Sequence, residues 1–263
     1  MKQKYSYRSK PKDRDFFFSW LVHRRVAKPI VLLLANSEIT PNQVSIVSIV
    51  AGLIGVIFLW KGLPFYDFIA SIWLHMGGII DCVDGDLART RKIGGGLTGK
   101  FADYIKVIMI ESLIPISLAV GLVTLGASIW WIIASMIASF WKMAPQFARE
   151  HIIVRSLENH PEIVSKEKAV PLFQDPQQSI KNKSSKKDLV QLCIKALKLI
   201  IGLPNALLNT IFVLSLLGLI FLSPVNYIVL KKCLLGLIIV SYIGFFAKAL
   251  LLEVKKLKYY DEE

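Results

Sequence analysis

The chain has 263 residues, of which 54% are hydrophobic, and it carries a formal net charge of +13. An ordinary globular chain is about 45–50% apolar, and here the apolar residues form blocks of roughly the 20 residues that cross a bilayer. This pattern excludes a disordered chain, a disulfide-rich secreted module and a typical cytosolic enzyme. Excess Lys and Arg beside membrane spans is typical of cytoplasmic loops next to anionic lipid, so we predict a multi-pass membrane protein in contact with membrane lipids, without a nucleic-acid partner.

Residues 1–36 are predicted to be a cytoplasmic N-terminus with an interfacial helix. Residues 1–15 are polar, and no cleavable signal peptide follows them. Residues 16–34 combine aromatic side chains with a basic cluster that includes Arg24 and Lys28, which a membrane span would have to bury. We therefore predict an amphipathic helix on the membrane surface; the alternative is a basic stretch leading into the first span.

Residues 37–141 are predicted to hold the first four transmembrane helices. Thr40 and Pro41 are typical of an N-cap and a first helical position. The second span is short and becomes polar at its end, where we predict a loop that contains Arg89 and Arg91. The four predicted spans are 44–60, 66–80, 104–123 and 127–140.

The rest of the chain is predicted to contain two further spans. Residues 142–203 are assigned to a basic cytoplasmic loop, partly disordered up to Lys187, followed by a second interfacial helix over 189–203. Residues 204–263 hold the last two spans and a basic tail, and Lys231, near the opposite side, is expected to snorkel. Basic loops alternate with charge-poor turns, which favours six spans with both termini in the cytoplasm. The predicted fold class is therefore an all-α membrane protein with six transmembrane helices and amphipathic interfacial helices.

Three carboxylates near the second and third spans are the strongest candidates for chemistry. Asp81 and Asp84 are three residues apart, which places them on one helix face, and Asp103 opens the next helix. Carboxylates at a membrane helix end need partners or water and are functional candidates by default. With no Cys or His ligand beside them they suit a hard cation, Mg²⁺ or Mn²⁺. The alternative for Asp81 and Asp84 is a structural ion pair.

Small and basic residues accompany these carboxylates. Gly85 and Ala88 keep the helix surface small, so that a bulky ligand could approach the backbone. Arg89 and Lys92 supply positive charge where a phosphate would lie. His75, inside the second apolar block, is more readily explained as a hydrogen-bonded packing residue than as a proton shuttle.

The sequence contains the motif DxxDGxxAR, whose fixed positions are Asp81, Asp84, Gly85, Ala88 and Arg89. In this motif the chain resembles the CDP-alcohol phosphotransferase (CDP-alcohol phosphatidyltransferase) family. The run Thr40 to Ser45, which includes Asn42, is similar to the family's opening of the first span. The resemblance implies transfer of a substituted phosphoryl group from a CDP-linked alcohol, such as CDP-diacylglycerol or a related CDP-lipid, to a small alcohol acceptor, with release of CMP, in phospholipid biosynthesis. It implies Mg²⁺ or Mn²⁺ on Asp81, Asp84 and Asp103, and catalytic roles for Asp103 and Arg89. Substrate binding is implied for Arg89 as well, together with Gly85, Ala88, Lys92 and Asn42. The common assembly of the family is a homodimer.

The second half of the family signature, GxxxDxxxD, is only partly matched. Gly99 and Asp103 fit it after nine residues instead of about eight, but its last Asp falls on Val107. The family's fourth aspartate contributes to metal binding, in a site that can hold two ions, and acts as general base on the acceptor hydroxyl; valine can do neither. Glu111 would lie on the same helix face as Asp103 and Val107, four residues beyond Val107, and Lys106 would lie beside the site. Asp86 is two residues from Asp84 and would point away from it. None of these three residues is a persuasive replacement.

Val107 motivates a second hypothesis, a catalytically silent family member that binds a CDP-ligand or metal as a regulatory subunit. A third and weaker hypothesis is a transporter that uses intramembrane carboxylates. The basic N-terminus favours a prokaryotic inner membrane, with the active site and both termini facing the cytoplasm; the alternative is an organelle membrane with the site facing the cytoplasm.

Overall fold

The computed structural model describes residues 6–10, 19–93, 105–159 and 204–261, and within these ranges the chain forms helices joined by short connections. The prediction of an all-α fold is confirmed. Two π-helical turns, Ser19–His23 and Val107–Glu111, precede the first and the fourth α-helix. The α-helices are α1 (Arg24–Leu34), α2 (Pro41–Leu59), α3 (Pro64–Arg91), α4 (Ser112–Thr124), α5 (Trp130–Asn159), α6 (Pro204–Ile220) and α7 (Pro224–Asp261).

Three of these helices are long and apolar enough to cross a membrane. They are α2, α3 and the segment Pro224–Ala247 of α7. Two further apolar stretches, Ile108–Thr124 and Leu208–Ile220, are shorter, below the roughly 20 residues that span a bilayer without tilt or local thinning. The chain is therefore a helical membrane protein, and the count of six spans stays a prediction.

The hairpin of α2 and α3 is the centre of the fold. Thr40 caps α2 by accepting from the Gln43 N–H while the Gln43 side chain accepts from the Thr40 N–H, and Pro41 occupies the first turn. The hairpin turn needs glycine at Gly62, whose φ is +76° and where a Cβ would lie 2.1 Å from the Gly121 carbonyl oxygen. Because of this turn, the start of α2 and the end of α3 lie at the same end of the bundle, which we call the motif end.

Two apolar clusters hold the helices together. The larger cluster joins the middle of the bundle, from Val56 on α2 and Leu74 on α3 to Leu118 on α4, Ile211 on α6 and Leu235 on α7. The smaller cluster packs α1 against α2 and α3 at the motif end; its buried members are Ala27, Val31, Val44, Cys82, Val83 and Leu87.

Helix α3 is longer than the sequence predicted. It continues through the motif to Arg91, so the placement of Arg89 and Arg91 in a loop is wrong. The helix continues because its polar end finds partners: Arg91 donates to a row of backbone carbonyls between α1 and α2, those of Leu34, Ala35, Ser37 and Ile39, at 2.5–3.1 Å.

Helix α5 is also longer than predicted. The apolar pattern stops at Phe140, and the sequence predicted a loop from Lys142, but the helix runs on to Asn159 through Pro145. Loss of apolar character ends a span and does not end the hydrogen-bonded backbone. The loop is therefore wrong as far as Asn159, and the predicted interfacial helix over 189–203 lies outside the described residues.

Lys231 on α7 does not snorkel. Its side chain is 0% exposed, and Nζ donates to Asp67 Oδ2 at 2.5 Å and to the Gly62 carbonyl at 3.2 Å. The hydroxyl of Tyr227 donates to the same Asp67 oxygen at 2.5 Å. Lys231 remains inside because Asp67, in the first turn of α3, neutralises its charge.

The first π-helical turn and helix α1 confirm the prediction of a helix over residues 19–34, and residues 16–18 lie outside the described residues. Arg24, Ala27 and Val31 are buried against the bundle, while Val26 and Leu33 lie on the exposed side. This two-faced pattern is typical of a helix at a membrane surface, and its position on the membrane stays a prediction.

Candidate active site

The two described carboxylates of the motif lie at the end of α3, beside neighbouring chain segments. Asp84 is buried and accepts a hydrogen bond of 2.6 Å from Ser45 Oγ, on the second turn of α2. Asp81, one turn earlier on α3, is partly exposed and forms an ion pair with Lys106, just before the π-helical turn. The predicted pair on one helix face is thus placed between α2 and the chain that leads into α4.

The donor set fits a hard divalent cation in its chemistry. Asp81 and Asp84 offer carboxylate oxygens, which Mg²⁺ and Mn²⁺ prefer. Within the residues that the structure describes, no three potential ligands converge on one point. The third predicted ligand, Asp103, lies outside those residues, as does Gly99.

Asp86, which the sequence suggested only as a weak replacement for the missing base, accepts from three side chains at the motif end. It is 0% exposed and accepts hydrogen bonds from Tyr7 OH at 2.7 Å and from Arg89 Nη2 at 2.6 Å, and it forms an ion pair with Arg24 of α1. Burial, followed by the hydrogen bond to Asp86, raises the pKa of Tyr7, so its hydroxyl stays a neutral donor. The three-residue spacing of Asp86 and Arg89 could have predicted one of these pairs.

Arg89 lies back along α3 over Gly85. A Cβ built on Gly85 would come within 2.9 Å of Arg89 Nη2. The space that the sequence assigned to a ligand above Gly85 is therefore filled by the guanidinium group. Arg89 is 39% exposed at its side chain, yet its Nε is buried and has no hydrogen-bond partner among the described residues.

The remaining predicted binding residues surround this end of α3. Ala88 is partly buried one residue before Arg89, and Lys92 ends the helix in a left-handed conformation with φ +57° and an exposed side chain. Asn42 is exposed on the first turn of α2. The structure brings these residues to one end of the bundle.

Each residue considered in place of the missing aspartate already has a charged partner, as described above for Asp86. Lys106 pairs with Asp81. Glu111, at the end of the π-helical turn, pairs with Lys142 on α5, and its carbonyl accepts from Tyr242 OH at 3.0 Å. Residues of a π turn are bonded five apart, so the four-residue spacing used to align Glu111 with Val107 does not hold there.

His75 confirms its predicted role as a packing residue. Its Nδ1 lies 3.3 Å from His23 Nε2, and its ring meets that of Phe212 edge-on at 6.0 Å.

The fold and the site together define a class: a helical membrane protein that carries adjacent carboxylates and an arginine at one end of its bundle, a combination suited to a cation and a phosphate group. Comparison with known proteins specifies the class further. Residues 38–166 match the CDP-alcohol phosphatidyltransferase family, so the chain contains a domain of that family. Members of the family transfer a phosphoryl-alcohol group from a CDP-alcohol.

The chain is also similar to a characterised relative. Over 124 residues it is 29% identical to a bifunctional IPC transferase and DIPP synthase of Thermococcus kodakarensis. The matched region covers 46% of this chain and 26% of that protein, so the chain corresponds to about a quarter of the relative's length.

Proposed function

We propose that the chain transfers a substituted phosphoryl group from a CDP-linked lipid, such as CDP-diacylglycerol, to a small alcohol acceptor and releases CMP. The observation that carries the proposal is the arrangement of Asp81, Asp84 and Arg89 on the last turns of α3, at the end of an apolar hairpin. The synthase activity in the name of the relative from Thermococcus kodakarensis supports the same reaction class.

Different residues at the motif end would bind different parts of the donor. Asp81, Asp84 and Asp103 would hold Mg²⁺ or Mn²⁺, which when bound supplies positive charge for the diphosphate. Arg89 neutralises phosphate oxygens, because a guanidinium group forms strong charge-assisted hydrogen bonds with them. Lys92 and Asn42 line the approach from water, and the acyl chains of the donor extend among the apolar helices.

The reaction exchanges one phosphorus–oxygen bond for another. The acceptor oxygen forms a bond to the phosphorus that carries the lipid alcohol, the bond from this phosphorus to the bridging oxygen breaks, and CMP leaves with that oxygen. Val107 cannot take the hydroxyl proton, and Glu111 is held by Lys142. A phosphate or other ionised group on the acceptor can take the proton instead. Absence of a general base typically costs about 10²–10⁴-fold in rate, and charge stabilisation by Arg89 remains.

CMP release by the purified protein in lipid tests the proposal. The assay contains Mg²⁺ or Mn²⁺, CDP-diacylglycerol and a pool of alcohol acceptors. Asp84→Asn should abolish metal-dependent CMP release. Asp67→Asn is the matched control, since it makes the same change in a buried carboxylate of α3 at the opposite end; the folded fraction of this variant should retain activity. Equal activity in wild type and Asp84→Asn would refute the proposed site.

A catalytically silent family member is the second candidate. The contact of Lys106 with Asp81 favours it, since a fixed ammonium group already neutralises one motif carboxylate, and Val107 stands where the family's base is expected. The silent protein would bind a CDP-lipid in a metal-dependent manner without releasing CMP. Val107→Asp separates the two candidates: a large gain of CMP release indicates a decayed site, and no gain indicates a different mechanism. Substrate flux across the membrane without CMP release would instead indicate a transporter.

The cellular setting is part of the proposal. We place the active site and both termini on the cytoplasmic side of a prokaryotic inner membrane, with a role in phospholipid biosynthesis and a homodimeric assembly. The basic residues at the motif end, among them Arg25, Lys28 and Lys92, support this orientation. Labelling of single cysteines at residue 92 and in the turn at residue 126 from either side of sealed vesicles tests it.

A further inference from the structure

We propose that Asp86 is a positioning residue for the donor phosphate site: it holds the Arg89 guanidinium across Gly85, so that Nε can donate to a phosphate oxygen when the donor binds. The inference rests on the proposed function, because it assigns to Arg89 the diphosphate of a CDP-linked donor.

The geometry of Arg89 is fixed from two sides. Its Nη2 donates to Asp86 Oδ1 at 2.6 Å, one helical turn back on α3. Its Nη2 atom also lies 2.9 Å from the position that a Cβ on Gly85 would take. A long side chain with a 39% exposed surface would otherwise sample many rotamers in water. Asp86 therefore removes, before any ligand arrives, part of the entropy that binding would cost.

The hydrogen-bonding of Arg89 is incomplete in a way that points to an anion. Its Nε is buried without a partner among the described residues, and a buried unsatisfied donor is costly in a folded protein. Asp86 is acceptor to Arg24 as well as to Arg89. A phosphate oxygen at Nε would supply the acceptor that Arg89 lacks among the described residues.

Two variants test the inference through different residues. Asp86→Asn removes the charge that holds Arg89, and Gly85→Ala inserts a methyl group where the guanidinium lies. The second change is tolerated by the fold because the group it displaces is the end of a flexible side chain. In both variants we expect the KM for CDP-diacylglycerol to rise about tenfold or more, the loss of one charge-assisted hydrogen bond, while the KM for the acceptor is unchanged.

Tyr7→Phe is the matched control. It removes another donor to Asp86 and leaves both the carboxylate charge and Arg89 in place, so both KM values should equal those of wild type. A structural defect would lower the amount of active protein and the apparent kcat, and would leave the KM for the donor as it is.

A second measurement does not depend on turnover. Phenylglyoxal modifies guanidinium groups, and mass spectrometry gives the modification rate at Arg89 itself. The rate should be several-fold higher in Asp86→Asn and Gly85→Ala than in wild type and Tyr7→Phe, since release from Asp86 exposes the group. If no donor gives CMP release, the proposed function fails, and this measurement still decides whether Asp86 holds Arg89.

The double variant Asp86→Asn/Arg24→Gln covers the possibility that Asp86→Asn does not fold. It removes the buried cation that Asp86 also neutralises. A folded double variant with a raised donor KM and a faster Arg89 modification supports the inference. A double variant with wild-type donor KM and wild-type modification rate would overturn it, because Asp86 would then serve only Arg24.

Discussion

Lys231→Met is expected to destabilise the protein strongly from a position far from the motif. The substitution leaves Asp67 buried without its cation, with Tyr227 as its one remaining donor among the described residues. Removal of one partner of a buried ion pair costs about 3–5 kcal/mol, and each 1.4 kcal/mol is roughly a factor of ten. The ratio of folded to unfolded protein should therefore fall by about 10²–10⁴-fold.

Unfolding in mixed micelles of increasing sodium dodecyl sulfate content measures this change through tryptophan fluorescence. Lys232→Met is the matched control, because it makes the same change one residue along α7, where the side chain is only partly buried; it should shift stability by less than about 0.5 kcal/mol. The double variant Asp67→Leu/Lys231→Met should recover most of the loss, since an apolar replacement of both partners is often neutral. Equal stability of Lys231→Met and Lys232→Met would mean that the ion pair of Lys231 with Asp67 does not contribute to stability.

Three further predictions concern the hairpin and the motif end. Gly62→Ala should cost several kcal/mol, because its Cβ would meet a carbonyl oxygen of α4 at 2.1 Å; Gly126→Ala has a similar φ of +87° with open space around it and should cost only about 1–2 kcal/mol. Both are compared by thermal unfolding in detergent. Ser45→Ala removes the donor to the buried motif carboxylate and should weaken Mn²⁺ binding measured by electron paramagnetic resonance, whereas Ser48→Ala, equally buried on α2 but bonded to a backbone carbonyl, should not. Arg91→Gln removes a cation that donates to four carbonyls and should lower the free energy of unfolding by about 2–3 kcal/mol. Limited proteolysis of the connection between α1 and α2 measures the change, and an unchanged protease resistance would contradict the prediction.

Local sequence signals predicted most of the helices. Thr40 and Pro41 marked the start of α2, and the apolar blocks predicted at 205–222 and 227–252 placed the starts of α6 and α7 within a few residues. Their ends were harder to predict, since hydropathy reports where a helix leaves the membrane and not where its backbone hydrogen bonds stop. Both α3 and α5 extend into polar sequence for this reason.

The candidate site was predictable where it rests on short spacing. Asp81, Asp84 and Arg89 followed from one motif. The contacts of Asp86 with Tyr7 and Arg24 join residues 79 and 62 positions apart, and no local pattern reveals such pairs. The same applies to Lys231 and Asp67, which are 164 positions apart: without its partner, a lysine in an apolar block is expected to reach for water.

Both ends of helix α3 are bonded to neighbouring helices. Its 28 residues extend about 42 Å; Asp67 fixes the first turn to α7, and Asp84 and Asp86 fix the last turns to α2 and α1. A translation or tilt of α3 would separate these buried carboxylates from their partners at one end or the other. In the reaction proposed above, a lipid substrate would therefore enter by displacement of the elements around the motif, while the carboxylates stay in place.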